Sequence, residues 1–76
     1  MWEIYYWTRE GVEEEGGIDG LSALMDMSDK DYVTRNAGYL GSYEGADDAH
    51  EDIVELEKTV KVAAYGYYDT NSGRWE

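Results

Sequence analysis

The sequence at residues 2–9 is WEIYYWTR, a stretch dense in aromatic residues. It combines Trp, Tyr, Thr and Ile, the residue types that favour β-strands. Side chains alternate across a strand, so the stretch would present two apolar faces. These faces are formed by Trp2, Ile4 and Tyr6, and by Tyr5 and Trp7. Because both faces need cover, the stretch predicts a central strand or a strand at an interface.

The length and composition set limits on the class of protein. A chain of 76 residues predicts a single domain over residues 1–76. The absence of cysteine excludes disulfides and thiolate metal sites and fits a cytoplasmic protein. We expect no signal peptide, because the first residues lack a basic start and a long apolar run. No stretch approaches the roughly 20 apolar residues of a membrane helix.

The charge is strongly one-sided. Eighteen acidic residues face six basic ones, which gives a formal net charge of −12. Such a charge opposes direct binding to nucleic acid or to an anionic membrane, since both attract Lys and Arg. It favours a basic protein partner instead. Disordered chains are poor in aromatic residues, whereas this chain has eight Tyr and three Trp, so we expect it to fold.

The remaining pattern predicts helices and further strands. Residues 10–17 are acidic and glycine-rich and predict a loop, and Asp19 predicts the N-cap of a short helix over residues 20–27. Residues 28–31 either end that helix or cap another turn. Residues 32–43 predict a hairpin of two strands. The final segments, from residue 62, predict a strand, a turn and a short last strand.

Residues 45–58 read GADDAHEDIVELEK and belong to the clearest predicted element. Apolar residues spaced three and four apart predict one face of a helix over residues 46–60. They are Ala46, Ala49, Ile53, Leu56 and Val60. At about 100° per residue, carboxylates gather on the opposite face. They are Asp47, Asp48, Glu51, Asp52 and Glu55.

This acidic face has a charge spacing like that of a nucleic-acid strand. With Glu57, the helix carries six carboxylates over about 22 Å, or roughly one charge per 3.7 Å, and one DNA strand carries about one phosphate per 3.4 Å. A second acidic cluster comprises Glu13, Glu14 and Glu15. A pocket that grips phosphates could therefore grip these side chains. The alternatives are an ordinary solvated helix face and a halophilic surface, in which acidity serves solvation.

The aromatic residues suggest a second kind of binding surface. Tyr and Trp are prominent in interface hot spots, so some of these rings could anchor a protein partner or a homodimer. The rings considered are Trp2, Tyr5, Trp7, Tyr65 and Tyr67. Alternatively, these rings build the core of a small sheet that has no Phe.

The sequence offers little support for catalysis or for a bound metal. His50 is the only histidine, and residues two apart on a helix point in different directions, so Asp48, His50 and Asp52 would not converge on a metal. A triad would depend on that one histidine. Asp69, Asn71 and Gly73 resemble the start of a calcium loop, but the chain ends at Glu76, before the glutamate of such a loop. We therefore expect no enzyme activity, no metal and no cofactor.

With its acidic clusters at Glu13, Glu14 and Glu15 and along residues 47–55, the chain resembles small phage-encoded inhibitors of host defence, the anti-CRISPR and anti-restriction DNA mimics. The resemblance is one of composition over the whole chain. It implies that acidic side chains occupy a basic nucleic-acid channel on a CRISPR effector or a restriction enzyme, in the cytoplasm of an infected cell. The alternative is an acidic structural or adaptor module that binds another protein through exposed aromatic residues.

The expected fold follows from these elements. It is α+β: a small antiparallel sheet of three to five strands with one long and one short helix packed on it.

Overall fold

The computed structural model describes all 76 residues. Its elements are strand β1 (Trp2–Thr8), helices α1 (Arg9–Glu14), α2 (Gly17–Met27) and α3 (Lys30–Val33), strand β2 (Gly38–Tyr43), a 3₁₀ turn (Ala46–Ala49), helix α4 (His50–Glu57), and strands β3 (Val62–Asp69) and β4 (Arg74–Trp75). The strands form one sheet in the order β2-β1-β3-β4, and every neighbouring pair is antiparallel. The predicted α+β class with an antiparallel sheet is confirmed.

β1 is a central strand, as its two apolar faces predicted. It pairs with β2 on one side and with β3 on the other, with a bulge in the β1–β2 register between Ile4 and Tyr5. Ile4 and Trp7 point to opposite faces of the sheet, and both are fully buried. Both faces of the strand are therefore covered.

One side of the sheet, here named the tryptophan face, holds the main core. Trp7 packs there with one buried residue from each of the three helices that follow β1, and Trp75 and Ala64 border this cluster. The helical residues are Val12 of α1, Leu21 of α2 and Val33 of α3. Leu24 and Met25 of α2 are partly buried and pack against the same cluster.

The opposite side, here named the isoleucine face, is covered by the connection from β2 to β3. Tyr43 lies opposite Trp2 and Tyr65 lies opposite Tyr6, so both tyrosines share this face with Ile4. Their hydroxyl groups donate hydrogen bonds to side chains of α4. No side chain of α4 is fully buried, so this helix forms a thin cover.

The prediction of an acidic loop over residues 10–17 is wrong at its start. Thr8 caps α1, since its hydroxyl oxygen accepts from the Gly11 amide at 3.4 Å, and Val12 is buried. The turn is confined to Glu15 and Gly16. Gly16 and Gly17, where α2 begins, have φ angles of 87° and 86° that are readily adopted only by glycine. α2 therefore begins before Asp19, which lies in its first turn and is not its N-cap.

The predicted hairpin over residues 32–43 is half right. Gly38–Tyr43 forms β2, but residues 30–33 form α3, because the Asp29 carboxylate accepts from the Tyr32 amide at 2.9 Å and caps a helical turn. The helix predicted over residues 46–60 is shorter than expected. It begins as a 3₁₀ turn and ends at Glu57, and α2 is the longest helix.

Candidate protein-binding surface

The connection between β2 and β3 carries a dense set of exposed carboxylates. All seven acidic side chains from Glu44 to Glu57 are exposed. Only one of them forms a salt bridge, Glu55 with Lys58 at 2.9 Å. The five predicted site residues of this segment are here named the acidic surface: Asp47, Asp48, Glu51, Asp52 and Glu55. The segment therefore combines high negative charge with almost no internal neutralisation.

Two tyrosines hold α4 on the sheet. Tyr43 donates to Asp52 Oδ2 at 2.6 Å, and Tyr65 donates to Glu57 Oε1 at 2.8 Å. Burial of the hydroxyl groups, and then the carboxylate that each one bonds, raises the pKa of both tyrosines to about 12. These bonds tie each half of the helix to a different strand and compensate for its weak apolar packing. Sequence periodicity gave no sign of them, since it does not pair residues across a sheet.

The carboxylates of the acidic surface differ in their local roles. Asp48 Oδ2 accepts from the Gly45 amide at 3.1 Å and stabilises the 3₁₀ turn, and Asp52 is bonded to Tyr43. The side chains of Asp47 and Glu51 form no hydrogen bond and no salt bridge within the chain. These two side chains are therefore free to contact another molecule without loss of an internal bond.

The charge spacing survives the shortening of the helix. A four-residue 3₁₀ turn at about 2.0 Å per residue and an eight-residue α-helix at about 1.5 Å per residue span roughly 20 Å. Six carboxylates along it, from Asp47 to Glu57, give about one charge per 3.3 Å, compared with about 3.4 Å between phosphates of one DNA strand.

The second acidic cluster does not join this surface. Glu13 and Glu14 are exposed on α1, which packs on the tryptophan face, whereas α4 covers the isoleucine face. Glu13 is paired with Arg9 at 3.1 Å. The side chain of Glu15 has 0 % exposure and accepts from Arg35 Nη2 at 2.7 Å, so it stabilises the fold and is not available to a partner.

Basic residues separate the two clusters. Arg9, Glu10, Lys61, Val62 and Ala63 line a surface cavity of about 400 Å³ where α1 approaches the start of β3. Lys61 forms no salt bridge, and Arg9 is bound only to Glu13. Because α1 and α4 lie on opposite faces of the sheet, the continuous acidic footprint is that of α4 and the 3₁₀ turn.

The aromatic residues considered as partner anchors are mostly structural. Trp7 is fully buried, while Trp2, Tyr5, Tyr65 and Tyr67 are half-buried within the sheet. The exposed rings are instead Tyr32 at 50 % and Tyr39 at 54 %. Tyr39 belongs to β2, and the sequence pattern marks it only as one of several aromatic residues in a predicted strand.

The remaining candidate motifs form no site. His50 is exposed at the start of α4, and no group of three or more His, Asp or Glu side chains is placed to hold a metal ion. Asp69 Oδ1 accepts from the Asn71 amide at 2.9 Å, which is the hydrogen bond of a tight turn between β3 and β4. No helix has the length and hydropathy needed to cross a membrane.

Comparison with protein-family models, with curated proteins and with solved structures finds no match to this chain.

Proposed function

We propose that this protein binds a basic nucleic-acid-binding protein and inhibits it without catalysis, by presenting carboxylates in place of phosphates. The surface that does so is Asp47, Asp48, Glu51, Asp52 and Glu55. The target class is a host-defence complex in the cytoplasm of an infected cell, with a CRISPR effector as first candidate and a restriction enzyme as second. The observation that carries the proposal is the near absence of internal salt bridges among seven exposed carboxylates.

The lack of basic side chains near these carboxylates destabilises the fold, because the negative charges repel one another. Like charges three or four residues apart on a helix destabilise it by about 0.2–0.5 kcal/mol per pair. Glu51 has three such neighbours, namely Asp47, Asp48 and Glu55. Ordinary soluble surfaces intersperse both signs of charge. If the carboxylates bind a basic partner, that role explains why the chain keeps side chains that repel one another.

The structure narrows the footprint that the proposal uses. Glu13 and Glu14 are exposed and would make only separate contacts, because α1 lies on the other face of the sheet. Glu15 takes no part, because it is buried against Arg35. The partner would therefore need a basic groove about as long as the 20 Å acidic segment.

The test is capture followed by competition. The tagged protein is immobilised and exposed at moderate salt to nuclease-treated lysates of cells that carry CRISPR or restriction systems. The proposal expects retention of one nucleic-acid-binding complex, its release by added DNA and by raised salt, and loss of its cleavage activity. A folded protein that retains no such complex, or one that DNA does not displace, would refute DNA mimicry.

A second candidate function is an acidic adaptor that binds another protein through aromatic residues. The exposed rings of Tyr32 and Tyr39 favour it. Folding that requires molar salt would support its halophilic form, whereas folding at low salt supports the inhibitor. Retention of a partner that neither DNA nor salt releases would also support the adaptor.

A further inference from the structure

The outer edge of β2 is an unpaired strand edge. β2 has β1 as its only neighbour in the sheet. None of the backbone hydrogen bonds outside the helices and strands, and none of the side-chain bonds to backbone, involves a residue of Gly38–Tyr43. The outward N–H and C=O groups of this strand are therefore available to another strand.

This edge also lacks the features that usually prevent strand pairing. Edges are blunted by charged side chains, by proline or by short length. The opposite edge is formed by β4, which is two residues long and contains Arg74, and by the part of β3 before Tyr68, which β4 does not pair. β2 has six residues, GYLGSY, with no charge and no proline in a chain of net charge −12. Of the usual devices, it has only the bulge in its register with β1.

The bulge gives β2 a self-complementary pattern. Tyr39 lies opposite Tyr5 and Ser42 lies opposite Glu3, so Tyr39 and Ser42 share the tryptophan face, where their hydroxyl groups are 2.7 Å apart. An antiparallel copy of the same strand, with the two-fold axis at the bulge between Leu40 and Gly41, would place a large residue opposite a small one on both faces. The pairs would be Tyr39 with Ser42 on the tryptophan face and Tyr43 with Gly38 on the isoleucine face.

We propose that β2 pairs with β2 of a second copy of this chain, so that the two four-stranded sheets form one continuous antiparallel sheet. The occupant of the edge is a second copy because the side-chain sizes match in this register and no charge must be buried. The inference does not depend on the proposed function, since it rests on the strand edge and not on the acidic surface.

The net charges permit this contact at physiological ionic strength. The acidic residues that follow β2, beginning with Glu44, lie at one end of the strand, and an antiparallel copy places its own at the other end. A strand of six residues separates them by about 20 Å. This is more than twice the Debye length of about 8 Å at 0.15 M salt. The dimer should therefore weaken when the salt concentration falls, whereas binding to a basic partner should strengthen.

The test is the mass of the protein in solution, measured by analytical ultracentrifugation across a concentration series. We expect twice 8.7 kDa at about 0.15 M salt, and a shift to monomer as salt is lowered. Ser42→Glu places a charge opposite Tyr39 of the second copy and should raise the dissociation constant at least tenfold. The matched control is Ser72→Glu, which adds the same charge at an exposed turn away from β2 and should leave the dimer intact.

Hydrogen exchange on the unmodified protein gives a readout that does not depend on a variant. Amides of Gly38–Tyr43 should become protected as the protein concentration rises through the dimer transition. A monomer at every concentration, or a dimer that Ser42→Glu and Ser72→Glu affect equally, would overturn the proposal. A monomer whose β2 amides become protected only by a Lys-rich peptide would assign the edge to a partner protein and would also overturn it.

Discussion

The variant Glu15→Gln tests whether the carboxylate of Glu15 stabilises the fold or belongs to the exposed negative surface. Glu15 lies beside Glu14 in a run of three glutamates, and sequence alone gives both the same role. In the structure Glu15 is fully buried at the end of α1 and accepts hydrogen bonds from Arg35 Nη2 at 2.7 Å and from Asn36 Nδ2 at 3.4 Å. Replacement by Gln keeps the shape of the side chain and removes its charge.

The expected loss follows from the kind of bond removed. A hydrogen bond between charged groups contributes about 1.5–3 kcal/mol and a neutral one about 0.5–1.5 kcal/mol. Breaking a fully buried ion pair costs about 3–5 kcal/mol, but the Arg35 side chain keeps 37 % of its exposure and can be rehydrated. We therefore expect a loss of about 1–2 kcal/mol. A domain of this size has a total stability of roughly 4–11 kcal/mol.

The assay is thermal unfolding followed by tryptophan fluorescence, since Trp7 lies in the core. At about 4–8 °C per kcal/mol, Glu15→Gln should lower Tm by roughly 5–15 °C. Glu14→Gln is the matched control, because Glu14 is exposed and forms no salt bridge, and its effect should stay within about 0.5 kcal/mol. Equal Tm values for the two variants would refute the assignment of Glu15 to the fold.

Two further predictions concern the sheet and the attachment of α4. Gly66→Ala should destabilise the fold by about 1–3 kcal/mol, because a Cβ atom there would lie 2.8 Å from ring carbons of both Trp7 and Trp75. Gly45→Ala, whose Cβ would meet only Asp48 Oδ2 at 3.4 Å, should be neutral or stabilising in the same denaturant titration, and a similar loss in both variants would contradict the packing argument. The bonds from Tyr43 and Tyr65 should fail at alkaline pH: their pKa is raised from 10.0 to about 12, so their contribution is complete below pH 10 and is lost as the pH rises towards 12. In a titration followed by tyrosinate absorbance, the variant with Tyr43→Phe and Tyr65→Phe should show two fewer tyrosines that ionise in the last part of the titration. An unchanged number would contradict the proposed hydrogen bonds of Tyr43 and Tyr65.

The strands were predictable because their signals are local. Residues 2–9 alternate apolar side chains on two faces, and the pairing of β1 on both sides follows from that pattern. β2, β3 and β4 were marked by aromatic residues between turn residues. Each of these segments takes the conformation that its own composition favours.

The errors arose where capping and tertiary contacts decide the conformation. Tyr32, Val33 and Thr34 are residue types that favour a strand, but the Asp29 cap and the burial of Val33 against the core stabilise a helix. The end of α4 at Glu57 was also not visible, because the apolar spacing continues to Val60. Burial of Glu15 depends on Arg35, which lies 20 residues away in sequence, so no local pattern could distinguish it from Glu14.

The carboxylates suitable for charge reversal could likewise not be chosen from sequence. By spacing alone, Asp48, Asp52 and Glu55 are as suitable for charge reversal as the other carboxylates of the acidic surface. Asp48 caps the 3₁₀ turn and Asp52 holds Tyr43, so reversal at these two positions would disturb the fold as well as the surface. The side chains of Asp47 and Glu51 form no bonds within the chain. These two residues are therefore better positions for charge reversal than Asp48 and Asp52.

The most direct measurement is partner binding by a protein with Asp47→Lys, Glu51→Lys and Glu55→Lys, compared with Asp19→Lys, Asp26→Lys and Glu76→Lys. Each triple variant changes the formal net charge from −12 to −6, and the control residues are exposed outside both acidic clusters. With both variants shown to be folded, we expect the first to lose binding to a captured nucleic-acid-binding complex and the control to retain it. Equal binding by the two variants would contradict the claim that the carboxylates of α4 and the 3₁₀ turn are the functional site.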